Sequence, residues 1–449
     1  MASPATKRLT VPTEPLPLAR DDRLKFGRDA RHRLSRSQLG DAQAGSRKFN
    51  PIELLMHARE GRVPKLLPVK YGRMRASPFA FFRGAVAIMA ADLAAQPHTG
   101  LMVQLCGDAH VQNLGCFEGP DGRLVFDIND FDETIGGPWE WDVKRMAASL
   151  VLAGYDSGHR RSACSGAVEA FIGAYCTTIE QLAEQPVLDA ARHQIHRLQK
   201  NQPISAALEQ ARRASPCDLL KKYTATARNR ARFKNIPGVL WRLRPAERDA
   251  VLESLPLYRQ TLAPERLHWF EFFRPVDVAF KIVGTGSVGL RDYVVLMEGN
   301  GANDPLFLQI KQEVASAYAP YVSPVQLPNQ GQRVVEGQRK LQPQSDLLLG
   351  WTRIGEHDYL VRQLNDHKGS IDLKRLRGAG LNSLAIVAGE LLARGHARSG
   401  DALAIKGYIG SSGRVLKTLV NYGLAYAAVT EADFEVFERA IKQGHIKAA

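Results

Sequence analysis

The segment Cys106–Asn113, which reads CGDAHVQN, carries an aspartate and an asparagine at a spacing that suits chemistry on a hydroxyl group. Asp108 and Asn113 are five positions apart, in a predicted tight loop that follows a short apolar strand at 101–105. A carboxylate in such a loop can orient or deprotonate a hydroxyl, while the amide oxygen turns toward a hard cation. The spacing therefore predicts Asp108 as a catalytic base and Asn113 as a magnesium ligand.

A second acidic group follows a predicted hairpin whose turn is Gly119–Gly122. The segment after the hairpin reads VFDINDFDE, in which Asp130 stands directly before Phe131. In protein kinases the catalytic loop has the form D-x-x-x-x-N, and a later Asp-Phe pair chelates magnesium at the triphosphate. Asp130 is therefore predicted as a second magnesium ligand.

A glycine-rich motif, G-x-G-x-x-G, lies at Gly284, Gly286 and Gly289, with Ser287 inside it. A dinucleotide-binding interpretation requires a helix after the glycines. The following residues, LRDYVVLMEG, are instead typical of a strand. The order strand, glycines, strand indicates a loop that folds over nucleotide phosphates, as in kinases.

Three further positions complete the predicted nucleotide site. Lys311 ends the next predicted strand, PLFLQIKQE, where its ammonium group could reach the α and β phosphates, and Glu336 in the following helix could pair with it. The segment LVRQLNDHKGS is predicted to be the hinge, with adenine stacked near Arg362 and Leu364.

The order of these motifs is the reverse of that in protein kinases, because the catalytic loop at 108 precedes the lysine at 311. We therefore predict an α+β, protein-kinase-like two-lobe fold that is circularly permuted, with a largely helical large lobe and a small antiparallel-sheet lobe. The predicted divisions are a flexible basic arm (1–48), a helical lobe with the catalytic loop and metal-binding hairpin (49–270), a β-rich nucleotide-clamping lobe (271–365) and C-terminal helices that pack on the large lobe (366–449).

The amino-acid composition restricts the classes to which this protein can belong. The chain of 449 residues is 45% hydrophobic and has a formal net charge of +14, which favours a globular protein that attracts anions. We find no run of 18 apolar residues and no signal-peptide pattern, so no membrane span and a cytoplasmic location are expected. Five cysteines without a C-x-x-C pair indicate neither a disulfide framework nor a structural zinc site.

Several motifs resemble a known family of bacterial proteins. The segments YGRMRASPFAFFRG, GDAHVQNLG, DINDFDE, WEWDVKRMAASL and GTGSVGLRDYVVLMEG look like the family of unknown function DUF2252, over most of the chain from about residue 45. More distantly, GDAHVQN and NDFDETIGGPWEWD resemble the HGDxHxxN and IDxxDxxxGDPxxD segments of aminoglycoside and choline phosphotransferases.

The second resemblance implies ATP and Mg²⁺ as cofactors and assigns roles to single residues. Asp108 would be the catalytic base, and Asn113 and Asp130 the magnesium ligands. Asp142 would brace the catalytic loop, and His110 would support that loop by hydrogen bonding. Cys106 stands where these phosphotransferases have a histidine.

The sequence thus predicts an ATP- and magnesium-dependent phosphotransferase that binds a nucleotide and an acceptor of unknown identity, and the positive net charge favours an anionic acceptor. Arg73, Arg75 and Arg83 flank the aromatic run at 79–82 and either grip an anionic substrate or are ordinary surface arginines. Three alternatives remain open. They are a nucleotide-binding pseudokinase or regulatory protein, a nucleic-acid-binding protein that uses the basic, predicted helical region at 187–270, and a hydrolytic metal site built from Asp108, His110, Asp127, Asp130 and Asp132.

Overall fold

A computed structural model describes residues 9–10, 19–42, 47–194, 202–227, 230–282, 286–323, 327–364 and 369–449. The protein is a mixed α+β structure whose main sheet is antiparallel, which confirms the predicted fold class at this level. No helix in the described ranges is both long enough and apolar enough to cross a bilayer.

The helices alternate with short connections along the chain. Their bounds are Arg20–Asp29 (α1), Pro51–His57 (α2), Leu67–Met74 (α3), Pro78–Gly84 (α4), Val86–Ala94 (α5), Trp139–Asp156 (α6), Arg161–Glu184 (α7), Val187–Arg192 (α8), Gln202–Arg213 (α9), Pro216–Tyr223 (α10), Pro245–Glu253 (α11), Leu255–Arg259 (α12), Pro264–Phe270 (α13), Gln330–Leu341 (α14), Gly380–Ser399 (α15), Ala402–Ile409 (α16) and Ser412–Lys442 (α17).

The strands form one main sheet and several small ones. Their bounds are Leu9–Thr10 (β1), Met102–Leu105 (β2), Leu114–Glu118 (β3), Leu124–Ile128 (β4), Ile135–Pro138 (β5), Thr224–Ala227 (β6), Arg230–Phe233 (β7), Leu240–Arg242 (β8), Arg274–Lys281 (β9), Asp292–Glu298 (β10), Pro305–Glu313 (β11), Val322–Ser323 (β12), Gly350–Ile354 (β13), His357–Gln363 (β14) and Gly369–Ser370 (β15).

The main sheet has six antiparallel strands in the order β13-β14-β11-β10-β9-β8. Strands β9, β10 and β11 confirm the strands predicted before the glycine-rich motif, directly after it and at PLFLQIKQE. Because β8 pairs with β9, the sheet begins earlier in the chain than the predicted lobe boundary at 271. The region 187–270 is therefore not purely helical as predicted, since it also contains β6, β7 and β8.

Both faces of the main sheet are covered, which explains why β11 is buried along its whole length. On one face Tyr293, Val295 and Leu308 pack in a cluster with Val251 and Tyr258 from α11 and α12. The opposite face packs its own apolar residues against α10 and the β6–β7 hairpin. The first half of β11, residues 305–308, is accordingly apolar without alternation, whereas Gln309, Lys311, Gln312 and Glu313 in its second half are buried polar residues.

A helical body holds the largest hydrophobic cluster. Helix α6 is buried from Trp139 to Gly154, and it packs with α7, α15 and α17. The C-terminal helices thus pack on the same body as α6 and α7. Two small antiparallel sheets lie at its edge, since β2 pairs with β5, and β3 pairs with β4 and β15. The loops that connect the strands of these two sheets carry Asp108, Asn113 and Asp130.

Residues 19–42 are docked on this body, so the predicted flexible basic arm is wrong for that range. Helix α1 packs against α16 so closely that a Cβ at Gly27 would lie 1.8 Å from the backbone oxygen of Ala404. Arg23 forms an ion pair of 2.7 Å with Asp401, and Leu34 and Leu39 are buried. Residues 1–8, 11–18 and 43–46 lie outside the described residues.

Candidate functional site

The predicted catalytic loop connects β2 to β3, and the loop that carries Asp130 connects β4 to β5. The two loops touch at Gly107, whose φ is +83°. A Cβ at Gly107 would lie 2.2 Å from the backbone oxygen of Glu133, so only glycine fits there. This close approach brings together residues from both sides of the β3–β4 hairpin.

Asp142 fixes the start of the catalytic loop from the first turn of α6. Its carboxylate accepts hydrogen bonds from the backbone N–H groups of Cys106 at 2.8 Å and Gly107 at 3.0 Å. His396 of α15 lies 3.4 Å from the same carboxylate through Nε2, and its Nδ1 is 2.8 Å from the hydroxyl of Tyr175. A histidine from a distant helix therefore contacts this acid, while Cys106 occupies the loop position that holds a histidine in the phosphotransferase pattern.

Arg145, one turn further along α6, holds Asp108. The guanidinium donates two hydrogen bonds to Oδ1, from Nε at 2.8 Å and from Nη2 at 2.5 Å. Burial raises the pKa of Asp108, but the charge of Arg145, with help from His110, outweighs burial and holds the pKa at about 2. Asp108 is thus ionised at neutral pH. Sequence reasoning missed Arg145, although its position three residues after Asp142 on one helix face was a usable signal.

His110 and Asn113 are arranged around the backbone of the loop. His110 accepts a hydrogen bond at Nδ1 from the Asn113 N–H, and its Nε2 lies 3.5 Å from Asp108 Oδ2. Burial lowers the pKa of His110 despite the nearby carboxylate. Asn113 donates from Nδ2 to the backbone oxygen of Asp108 at 2.9 Å. Within the described residues its Oδ1 accepts no hydrogen bond and remains available to a ligand.

Asp108, Asn113 and Asp130 line one cavity of about 110 Å³, and Gly286 and Ser287 line it from the opposite side. The carboxylate of Asp130 is about one-third exposed. An amide oxygen and a carboxylate are hard ligands that fit Mg²⁺, which usually keeps several waters and phosphate oxygens in its shell. No group of three or more His, Cys, Asp or Glu side chains that could hold a metal occurs in the described ranges.

Lys311 lies at the wall of this region and contacts Asp132. Its Nζ is 2.5 Å from both carboxylate oxygens of Asp132 and 3.6 Å from Asp130 Oδ1. Burial alone would lower the pKa of Lys311, but the charges of Asp130 and Asp132 raise it above its ordinary value. Ser287 donates a hydrogen bond of 2.9 Å to Asp132 as well.

The predicted pairing of Glu336 with Lys311 is not observed among the described residues. Glu336 accepts a hydrogen bond from Gln332 one turn earlier on α14, while Lys311 is occupied by Asp132. Helix α14 contacts the acidic loop through Arg333 instead, which donates to the backbone oxygens of Asp132 and Thr134. The sequence signal that was missed is the second acid of the Asp-Phe-Asp segment.

The glycine-rich loop is fixed by Arg62. This guanidinium donates to the backbone oxygens of Gly286 at 2.9 Å and Val288 at 2.7 Å. The neighbouring Val63 N–H donates to the oxygen of Gly289, whose φ is +99°. Gly284 lies outside the described residues. The loop is therefore held against the segment before α3, a contact that its spacing alone did not indicate.

Arg362 and Leu364 are engaged within the protein. Arg362 donates from Nε to Gln309 at 2.9 Å, and the Leu364 N–H donates to the oxygen of Phe307 at 2.7 Å. Among the described residues that line the cavity with Asp108, neither occurs. Arg362 also donates from Nη1 to the backbone oxygen of Asn129 at 3.3 Å, so it contacts the loop that carries Asp130 without lining the cavity. Residues 365–368 lie outside the described ranges.

The fold and the site define an α+β protein with an acidic, partly buried cavity between a helical body and the loop Gly286–Gly289 of the sheet region. The chain belongs to a family of uncharacterised proteins conserved in bacteria, DUF2252, whose family model matches residues 62–440. No curated protein and no solved structure matches the chain.

Proposed function

We propose that this protein is an ATP- and magnesium-dependent phosphotransferase with a permuted, kinase-like arrangement of two lobes. One observation carries the proposal: Asp108, Asn113 and Asp130 share a cavity with Gly286 and Ser287, although more than 150 positions separate the two groups. Phosphoryl transfer depends mainly on positioning and on charge neutralisation. The main sheet, formed by β8 to β11 with β13 and β14, would be the nucleotide-clamping lobe.

Asp108 would act on the acceptor hydroxyl through Oδ2. Arg145 occupies Oδ1, so the second oxygen is left to accept a hydrogen bond from the hydroxyl. Because the pKa of Asp108 is about 2, this carboxylate is a weak base. Its main contribution would therefore be to orient the hydroxyl oxygen toward the phosphorus atom.

Asn113 and Asp130 would hold Mg²⁺, which when bound supplies positive charge to the phosphate oxygens. Lys311 would provide further positive charge, since the raised pKa keeps its ammonium group protonated. Asp132 would fix Lys311 in position, the role first expected of Glu336. The glycine loop, held by Arg62, would cover the phosphates with backbone N–H groups.

The test compares thermal unfolding of the wild type with that of Asp130→Ala and Lys311→Met, with Mg²⁺, with ATP and with both. A ligand at about 100 times its Kd stabilises the native state by about 2.7 kcal/mol. We expect the wild type to respond to the two ligands together, and both variants to lose this response without unfolding. Lys340→Met, at an exposed position of α14, is the matched control.

Release of inorganic phosphate from ATP then separates the alternatives. We expect slow release by the wild type, with water as acceptor, and none by Asp130→Ala. Nucleotide binding without any release would favour the regulatory protein. The absence of nucleotide binding to the wild type would overturn the proposal, and a steeply salt-dependent affinity for DNA in that case would favour nucleic-acid binding.

A further inference from the structure

Three cationic side chains enter the same cavity from the segment that precedes the catalytic loop. Arg62, Lys70 of α3 and Arg83 of α4 line it together with Asp108 and Asp130. Lys70 is only 3% exposed. Arg62 is engaged with the backbone of the glycine loop, so two cations remain for a ligand.

Lys70 and Arg83 have no acidic partner among the residues that the structure describes. Arg83 Nε is buried without a hydrogen-bond partner, although the charges of Asp108 and Asp130 act on this guanidinium. Burial lowers the pKa of Lys70 well below its ordinary value, and the charge of Arg62 adds to this effect. A buried cation without a counter-ion is costly, and a bound anion removes much of that cost.

Two acids of the cavity already form ion pairs with other cations, and burial disfavours the charged form of two more. Asp108 is paired with Arg145, and Asp132 is paired with Lys311. Burial raises the pKa of Glu133 and raises that of Glu313 well above its ordinary value. None of these acids forms an ion pair with Lys70 or Arg83 among the described residues, although the charge of Glu133 acts on Lys70. Asp130 remains, and in the proposed function it is a magnesium ligand.

We propose that Lys70 and Arg83 bind a phosphate group carried by the acceptor, so that the substrate is a hydroxyl compound that already bears a phosphate. This inference rests on the proposed function. Two cations from two separate helices match the double charge of a phosphate better than the single charge of a carboxylate. The nucleotide phosphates have their own cations and donors in Lys311 and the glycine loop.

The location of Arg83 favours the acceptor over the nucleotide. Arg83 lies in α4, next to Phe82. Arg145, which holds Asp108, also donates a hydrogen bond of 3.2 Å to the backbone oxygen of Phe82. The cation and the proposed base are thus tied to the same helix. A phosphate held by Arg83 would place the remainder of the acceptor beside Asp108, where its hydroxyl is needed.

The experiment measures the affinity of inorganic phosphate by calorimetry, with the full chain first saturated with Mg²⁺ and a non-hydrolysable ATP analogue. We expect one phosphate to bind per chain, and Lys70→Met and Arg83→Gln each to weaken it by about 10- to 100-fold. The affinity for the ATP analogue should stay within about threefold of the wild type. Acetate should bind more weakly than phosphate. Arg75→Gln, which removes an exposed arginine paired with Glu438, is the control.

Three results would overturn the inference. They are no phosphate binding by the wild type, unchanged phosphate affinity in both variants, or a loss of affinity for the ATP analogue equal to that for phosphate. The last result would assign the two cations to the nucleotide. If the analogue itself does not bind to the wild type, the proposed function fails, and titration of phosphate into the nucleotide-free variants still tests the anion site.

Discussion

Arg145 donates two hydrogen bonds to one oxygen of Asp108 and leaves the other oxygen facing His110 at 3.5 Å. The two oxygens of one carboxylate are therefore not equivalent. Oδ1 is a structural contact to α6, whereas Oδ2 has only the longer contact to His110. Because Arg145 is fully buried and lies 4.2 Å from the centre of the Phe82 ring, its own position is fixed.

Replacement of Arg145 by methionine should destabilise the fold strongly. Asp108, whose side chain is 16% exposed, would then lose its main counter-ion, and removing one partner of a largely buried pair costs up to about 3–5 kcal/mol. Chemical denaturation of the variant measures the loss. Adding Asp108→Asn to Arg145→Met should restore part of the lost free energy of unfolding. If Arg145→Met alone loses less than about 1 kcal/mol, a close and largely buried ion pair is contradicted.

Replacement of Asp142 by asparagine should loosen the catalytic loop. The amide retains one acceptor oxygen, so it cannot accept from the N–H groups of both Cys106 and Gly107 as the carboxylate does. We expect these two amides to exchange hydrogen faster, by about 10- to 100-fold. Asp156→Asn, at the end of the same helix, should leave their exchange unchanged. Equal protection in both variants would show that Asp142 does not brace the loop.

Lys311 and Asp132 should be energetically coupled. Lys311→Met leaves the Asp132 carboxylate, which is about one-fifth exposed, without its main counter-ion. A double-mutant cycle with Asp132→Asn, measured by denaturation, should give a coupling free energy of about 0.5–3 kcal/mol. The corresponding cycle with Glu336→Gln should give a value near zero, because Glu336 pairs with Gln332 instead. A larger coupling to Glu336 would restore the pairing that the sequence predicted.

The raised pKa of Asp292 should make the fold less stable as the pH rises. Burial raises its pKa from 3.8 to about 6, although Lys281 and Lys311 act in the opposite direction. Between these two values the folded chain binds more protons than the unfolded chain, so stability falls with rising pH.

Asp292→Asn lacks this titration, and its stability relative to the wild type should increase by up to about 3 kcal/mol from pH 4 to pH 7. Denaturation at several pH values measures the difference. Asp249→Asn, at an exposed position of α11, provides the comparison. A difference between wild type and Asp292→Asn that does not change with pH would be inconsistent with the raised pKa.

Gly27→Ala should release α1 from the body. The new methyl group would collide with the backbone oxygen of Ala404, and overpacking of this kind costs about 1–3 kcal/mol. Limited proteolysis should cut the variant within residues 20–42 before other sites. Gly413→Ala, at a helical position where a Cβ meets no atom within 4 Å, should be digested like the wild type. Identical digestion of both variants would mean that α1 is not held by this contact.

Local sequence patterns predicted the secondary structure well where the apolar residues follow a single periodicity. Alternating and β-branched residues indicated β9 to β11, and the turn Gly119–Gly122 indicated the β3–β4 hairpin. The segment SPFAFFRGAVAIMAADLAAQ predicts one helix that starts at Ser77 or Pro78, but the structure divides it into α4 and α5 at Ala85, whose ψ of 37° leaves the helical region. Its apolar stripe continues across that break, which is why periodicity did not reveal it.

The partners of the site residues could not be predicted, because they are separated by long stretches of chain. The contact of Lys311 with Asp132 spans 179 positions, and that of His396 with Asp142 spans 254. Spacing rules for helices and strands reach only a few residues. The sequence therefore indicated which side chains are candidates for the site, but only the folded structure shows which carboxylate pairs with which cation.

Helix α15 has a consequence for the order of events during protein synthesis. It supplies Arg394, which forms a buried pair with Asp127 beside the acidic loop, and His396, which contacts Asp142. Both acids leave the ribosome more than 200 residues earlier. Until α15 has been synthesised, Asp127 therefore lacks its cation and Asp142 lacks its contact with His396. A nascent chain that stalls before residue 380 lacks both contacts, and we expect chaperones to bind it.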